Sequence, residues 1–142
     1  MGYHEKKRQL QQQSVDGQYK NLYYPAMSDV LPIIKVVKFR GSSLRDLRAF
    51  PDQARREAGL QIDQVQRGLE PDDWKPMPTV GQGVQEIRIW DEAGTFRVIY
   101  VAKFESAVYV LHCFQKKTQQ TRQADLDLAE KRYRELIKEL NA

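Results

Sequence analysis

"VQEIRIWDEAGTFRVIYVAKFESAVYVLHCFQ", residues 84–115, decides the fold. Three runs rich in β-branched and aromatic residues, 84–90, 95–103 and 107–115, are separated by two short breaks, Asp91-Glu92-Ala93-Gly94 and the stretch around Glu105-Ser106. Such residues suit a pleated, half-buried surface, and the short spacing between the runs is that of tight reversals. An antiparallel meander is therefore predicted. Closing the first loop over four residues pairs Trp90 with Thr95, and Arg88 then faces Arg97. Ile87 and Ile89 meet Val98 and Phe96 on the reverse side, which must be the side that helices cover. Glu86 and Trp90 share the arginine side.

Like charges on facing positions repel, so a sheet that only has to be stable avoids them. The third run adds to this side in one of two registers. A two-residue turn at Glu105-Ser106 brings His112, Phe114 and Lys116 there, and a turn one residue longer brings Cys113, Gln115 and Lys117. Either register adds one lysine to the two arginines. A plainer reading also fits: Arg88 paired with Glu86, Asp91 or an acid of the last helix, as on many salt-bridged polar faces. His112 suits a satisfied core histidine more than a catalytic base, and Trp74 and Trp90 suit packing as well as base stacking.

Outward from the meander, residues 116–122, "KKTQQTR", form a basic, amide-rich ramp with no acid. A helix from about Ala124 follows, with Leu126, Ala129, Tyr133, Leu136, Ile137 and Leu140 on one face. In the other direction, "EPDDWKPMPTVGQG" (70–83) contains three prolines and two glycines and is expected to hold no regular structure. Ahead of it, Pro51 opens a helix in which Ala54, Ala58, Ile62, Val65 and Leu69 make an apolar stripe, with Gly68 as the stop. "SLRD" (43–46) reads as a capping box for a short helix to about Ala49, and "IIKVVKF" (33–39) as a strand. The order is β-α-α-β-β-β-α, an α+β fold with a small antiparallel-meander sheet, a helical hairpin on one face and a C-terminal helix. One domain spans residues 32–142. Residues 1–31, rich in Gln and without a sustained period, read as a flexible or loosely docked arm. Tyr19, Tyr23 and Tyr24 could dock it on the domain, and Met27 could be an alternative start.

The bulk numbers bound the function. The 142 residues, 41% hydrophobic and 30% charged, describe an ordinary globular protein with room for one core. No run is long and apolar enough for a bilayer, and the N-terminus lacks the apolar centre of a signal peptide, so a cytoplasmic location is expected. One cysteine excludes an internal disulfide framework, and two histidines beside it argue against structural zinc. A net charge of +4 and a pI near 9.2 modestly favour a polyanionic partner. "GQG" (81–83) precedes a strand and so cannot be a helix-opening phosphate loop. No nucleophile elbow, metal motif or cofactor motif is present, and no cofactor is expected.

Residues 74–121 resemble the phage-derived, host-inhibition branch of the RelE/ParE toxin superfamily, the HigB-like toxins. "GLEPDDWKPM", the "EIR" strand, the "FRVIY" strand and "VLHCFQKKT" correspond in order and spacing. The similarity reaches back to "FPDQARREAG" and on through the last helix, covering residues 33–138. The resemblance implies a small sheet with a helical hairpin and the toxin role of a toxin–antitoxin pair. Many such toxins enter the ribosomal A site and cut mRNA without a metal, and a helix-turn-helix antitoxin holds this branch inactive. Matching catalytic positions here are Arg88, Arg97, Lys116 and Lys117, with Lys75, Lys103 and Arg122 as further candidate RNA contacts. No acid–base pair is carried over, because the superfamily varies at those places. Crowding by two arginines should lower the pKa of one lysine, fitting it for proton transfer. Two other readings stay open: a ParE-like gyrase inhibitor acting through protein contacts, and an antitoxin-binding module without toxicity.

Overall fold

A computed structural model describes residues 33–142; the arm expected over 1–31, its tyrosine cluster and Met27 lie outside the described residues. Eight elements follow in order: β1 (Val37–Phe39), α1 (Ser43–Arg48), α2 (Asp52–Gln66), β2 (Trp74–Pro76), β3 (Val84–Asp91), β4 (Gly94–Val101), β5 (Val108–Lys116) and α3 (Gln123–Leu140). The strands form one mixed sheet in the order β1-β5-β4-β3-β2, with β1 parallel to β5 and every other pairing antiparallel.

The meander is present with the expected register: Trp90 pairs with Thr95 and Arg88 with Arg97. Its first turn is tighter than expected, because pairing continues to Asp91 and Gly94. β5 takes the first of the two registers, with Lys116 opposite Thr95, Phe114 opposite Arg97 and His112 opposite Ile99. A bulge then shifts the ladder by one, so that Tyr100 pairs with Val110.

Four expectations are corrected. The segment 70–83 is not wholly irregular: Trp74–Pro76 adds an edge strand beside β3, where Pro76 is tolerated because an edge need not donate on its outer side. Only Val37–Phe39 of the 33–39 run joins the sheet. Ahead of it the chain turns to the end of α2, where the Lys35 N–H donates to the Gln66 carbonyl at 2.9 Å. The residue at the head of α1 is Ser42, one earlier than "SLRD" implies, and its hydroxyl donates to the Asp46 carboxylate at 2.7 Å instead of capping a backbone N–H. Leu69 leaves the α2 stripe and is 57% exposed. At that end Gly68 adopts φ +84°, and the Leu69 and Gly68 N–H groups bond the Gln64 and Val65 carbonyls, so Leu69 lies past the cap.

Two apolar layers flank the sheet. On one face Ala54, Ala58, Ile62 and Val65 of α2, with Leu47 and Phe50, bury Ile87, Ile89, Phe96, Val98 and Tyr100. Ala54 and Ala58 are fully buried, and their small side chains suit close approach of the helix. On the other face Ala129 and Leu136 of α3 cover Val84, Ile99, Val101, Tyr109 and Leu111. The arginine side is thus not uncovered: α3 closes one half, and the half carrying Arg88 and Trp90 stays open.

Candidate functional site

Strand alternation delivers Glu86, Arg88 and Trp90 from β3, Thr95 and Arg97 from β4, and Lys116 from β5 to one side of the sheet. Lys75 of β2 pairs with Glu86 and joins them. At the centre, Glu86 is fully buried. Its Oε1 lies 3.5 Å from Arg97 Nε and 4.0 Å from both Arg88 Nε and Lys75 Nζ. Neither Glu86 oxygen has a hydrogen-bond partner, nor do Arg88 Nε and Arg97 Nε. Native interiors rarely tolerate so many orphaned polar atoms together.

Charge explains the grouping. Burial pushes the Glu86 carboxyl above the usual carboxylate range, and Arg97, Lys75, Arg88 and Lys116 pull it back. Burial lowers the Arg97 guanidinium pKa, opposed by Glu86. The Lys116 ammonium is held below its ordinary value by desolvation first and then by Arg97 and Lys75. Asp73 adds a second acid, its Oδ1 3.9 Å from Arg88 Nη1. Four cations against two carboxylates leave the site positive. Arg97 is only 3% exposed, so Arg88 and Lys116, both partly exposed, form its accessible front. An open cleft of about 530 Å³ lies beside Lys116, lined by Trp90, Thr95, Arg97, Lys116, Lys117, Thr118 and Gln119, whereas Arg88 lines a separate cleft with Asp72 and Asp73. A neighbouring cleft of about 440 Å³ shares Lys116 and Gln119 with the first and includes Lys75.

The structure gathers Arg88, Arg97 and Lys75 around Glu86 and sets Lys116 and Lys117 along one cleft with Arg97; it separates the other two. Lys103 stands six residues beyond Arg97, about 20 Å along an extended chain. Its Nζ lies 5.1 Å from the Phe104 ring centroid and 5.9 Å from that of Tyr133. Arg122 caps α3, with its Nε 3.2 Å from Asp125 Oδ2, beside a different cleft containing His112.

Sequence reasoning found no histidine–acid pair, yet one is present. His112 Nε2 and Asp125 Oδ1 are 2.8 Å apart, both residues buried. His112 stacks on Phe114, and its Nδ1 has no partner. Burial pushes its pKa down, and Asp125 partly opposes this. The signal was an acid in the first turn of α3, but only the docking of α3 places it over β5. Glu86 was foreseen as a neighbour of the arginines, not as their buried hub. Asp73 was missed entirely.

Among the described residues no group of three or more His, Cys, Asp or Glu side chains is arranged to hold a metal ion, and no helix is long and apolar enough to cross a membrane. A family model described as phage derived protein Gp49-like matches residues 45–134. No curated protein matches the chain. Among solved structures, the toxin–antitoxin complex RelBE2 from Mycobacterium tuberculosis aligns with 61% of this chain and 100% of that one, at 22% identity and a TM-score of 0.40.

Proposed function

The chain belongs to the phage-derived Gp49-like family, and from that premise we propose that it is the toxin of a toxin–antitoxin pair, a HigB-like endoribonuclease that cuts mRNA in the ribosomal A site. Its partner in this reading is a helix-turn-helix antitoxin. One observation carries the proposal: Arg88, Arg97 and Lys75 converge within 4.0 Å of Glu86, which attracts them without accepting a hydrogen bond from any of them, and Lys116 lines the adjoining cleft with Arg97. Glu86 thereby keeps the cations gathered with Arg88 Nε and Arg97 Nε unpartnered, while Arg97 Nη1 donates to the Phe96 carbonyl at 3.2 Å. The partly exposed Arg88 and Lys116 are the cations that a phosphate reaches first.

The reaction is attack of a ribose 2′-oxygen on the adjacent phosphorus. The bond to the 5′-oxygen breaks, leaving a 2′,3′-cyclic phosphate and a 5′-hydroxyl. The 2′-hydroxyl must lose a proton and the leaving oxygen must gain one. Arg88 at the front and Arg97 behind it stabilise the charge that grows on the phosphoryl oxygens, and a planar guanidinium suits that geometry. Lys116, with its lowered pKa, is the proton-transfer group. Lys117 and Lys75 hold the flanking backbone.

Pulse induction of the full chain in a bacterial host, followed by mapping of mRNA 5′ ends, tests this. New ends should appear with the parent and be lost in Lys116→Gln. If translation continues while DNA supercoiling falls, the protein acts on gyrase and the nuclease reading is wrong.

A further inference from the structure

Trp90 is 63% exposed, although it is the largest side chain on a strand otherwise rich in buried residues. It is nevertheless held in place. Its Nε1–H donates to Asp73 Oδ2 at 2.6 Å, and the Arg97 guanidinium carbon lies 5.3 Å from its ring centroid. The indole stands where two clefts meet. One is the basic cleft of Arg97, Lys116 and Lys117. The other is lined by Glu57, Gln61, Asp72 and Asp73 together with Arg88. An exposed indole contributes nothing to the core, and pinning it costs rotamer freedom.

Resting on the RNA-cleaving reading above, we infer that Trp90 is the base-stacking, specificity-determining residue of this site: it seats the nucleobase next to the bound phosphate on its carboxylate-lined side. Arg97 on the ring and the bond to Asp73 pre-set the indole, so stacking costs little further ordering. The phosphate of the same nucleotide reaches round to the cations. The carboxylates beyond the ring already accept from Trp90 Nε1 and Gln61 Nε2. Their remaining lone pairs favour a base with an exocyclic amino group (adenine, cytosine or guanine) over uracil, whose one N3–H lies between two carbonyl oxygens.

The experiment maps mRNA 5′ ends after pulse induction of the full chain carrying Trp90→Ala, Trp90→Leu or Trp90→Phe, with thermal unfolding of each purified chain alongside. Stacking of one base on an aromatic ring corresponds to roughly a 5- to 150-fold effect. Trp90→Ala and Trp90→Leu should therefore cut at least about 5-fold less often and lose the base preference beside the cut, while Trp90→Phe keeps that preference. The melting temperatures should stay close to the parent's, since the ring is exposed. Parent-like cutting by Trp90→Leu overturns the inference and leaves the nuclease reading standing. A preference for uracil beside the cut overturns the assignment of the base to the carboxylate side. If the parent itself produces no new ends, the nuclease reading fails and this inference falls with it.

Discussion

The two halves of the α3-side sheet face are built from the same strands yet solve opposite problems. In the covered half, Val84, Ile99, Val101 and Leu111 pack under Ala129 and Leu136, and every one of these side chains is apolar and buried. In the open half, two residues along the same strands, Glu86 and Arg97 are as deeply buried but leave polar atoms without partners. Apolar burial stabilises in proportion to area, whereas an ion pair without hydrogen bonds scarcely recovers the cost of leaving water. The contrast assigns stability to one half and leaves the other with buried charge whose hydrogen bonds are unmade.

The comparison can be broken at several points, taken in order of their effect on stability. Glu86→Leu removes the shared counter-charge and leaves Arg97 buried and alone. It should cost about 3–5 kcal/mol, seen as a large fall in the denaturation midpoint. A near-neutral result would mean that Arg97 reaches solvent or that the cluster repacks. Leu136→Ala opens a cavity in the covered half and should cost about 2–5 kcal/mol, while the RNA cleavage proposed above, measured below the melting temperature, should stay near the parent's. A selective loss of cleavage would instead couple the two halves.

The His112–Asp125 pair lies at their border and sharpens the contrast through pH. Because burial lowers the His112 pKa, the folded state binds its proton less readily than the unfolded chain does. Its stability contribution is therefore complete above about pH 6.5 and declines as pH falls through the window down to the depressed folded value. Denaturation curves recorded across that window should slope by at most about 1.4 kcal/mol per pH unit, and His112→Gln should flatten them. An unchanged slope would place the titration on another group. Lys116→Gln should move stability least, within about 0.5 kcal/mol. Cleavage should nevertheless drop by about 100- to 10,000-fold if Lys116 transfers the proton.

Local signals sufficed wherever a contact was close in sequence. The Asp91–Gly94 reversal fixed the facing arginines, and the spacing of Ala54, Ala58, Ile62 and Val65 fixed the buried side of α2. What escaped was non-local. The apolar pattern of α3 says that one side must be buried but not which half of the sheet receives it. Alternation places Glu86 beside the arginines, yet burial of a carboxylate depends on β2, a three-residue strand hidden by its own Pro76 and by Pro71 and Pro78 on either side. The His112–Asp125 contact needs both the β5 register and the seating of α3. The bulge beside Tyr100 has no sequence mark that we can identify.

The parallel pairing of β1 with β5 has a consequence for the birth of the molecule. During synthesis, β1 emerges among the earliest parts of the domain but finds its hydrogen-bonded neighbour only once β5 has left the ribosome. Lys116, at the far end of β5, is made later still. A newborn chain therefore cannot complete its sheet, or assemble all the cations of the cleft, until almost the whole domain has been translated. The cleft is therefore among the last features of the domain to come into being.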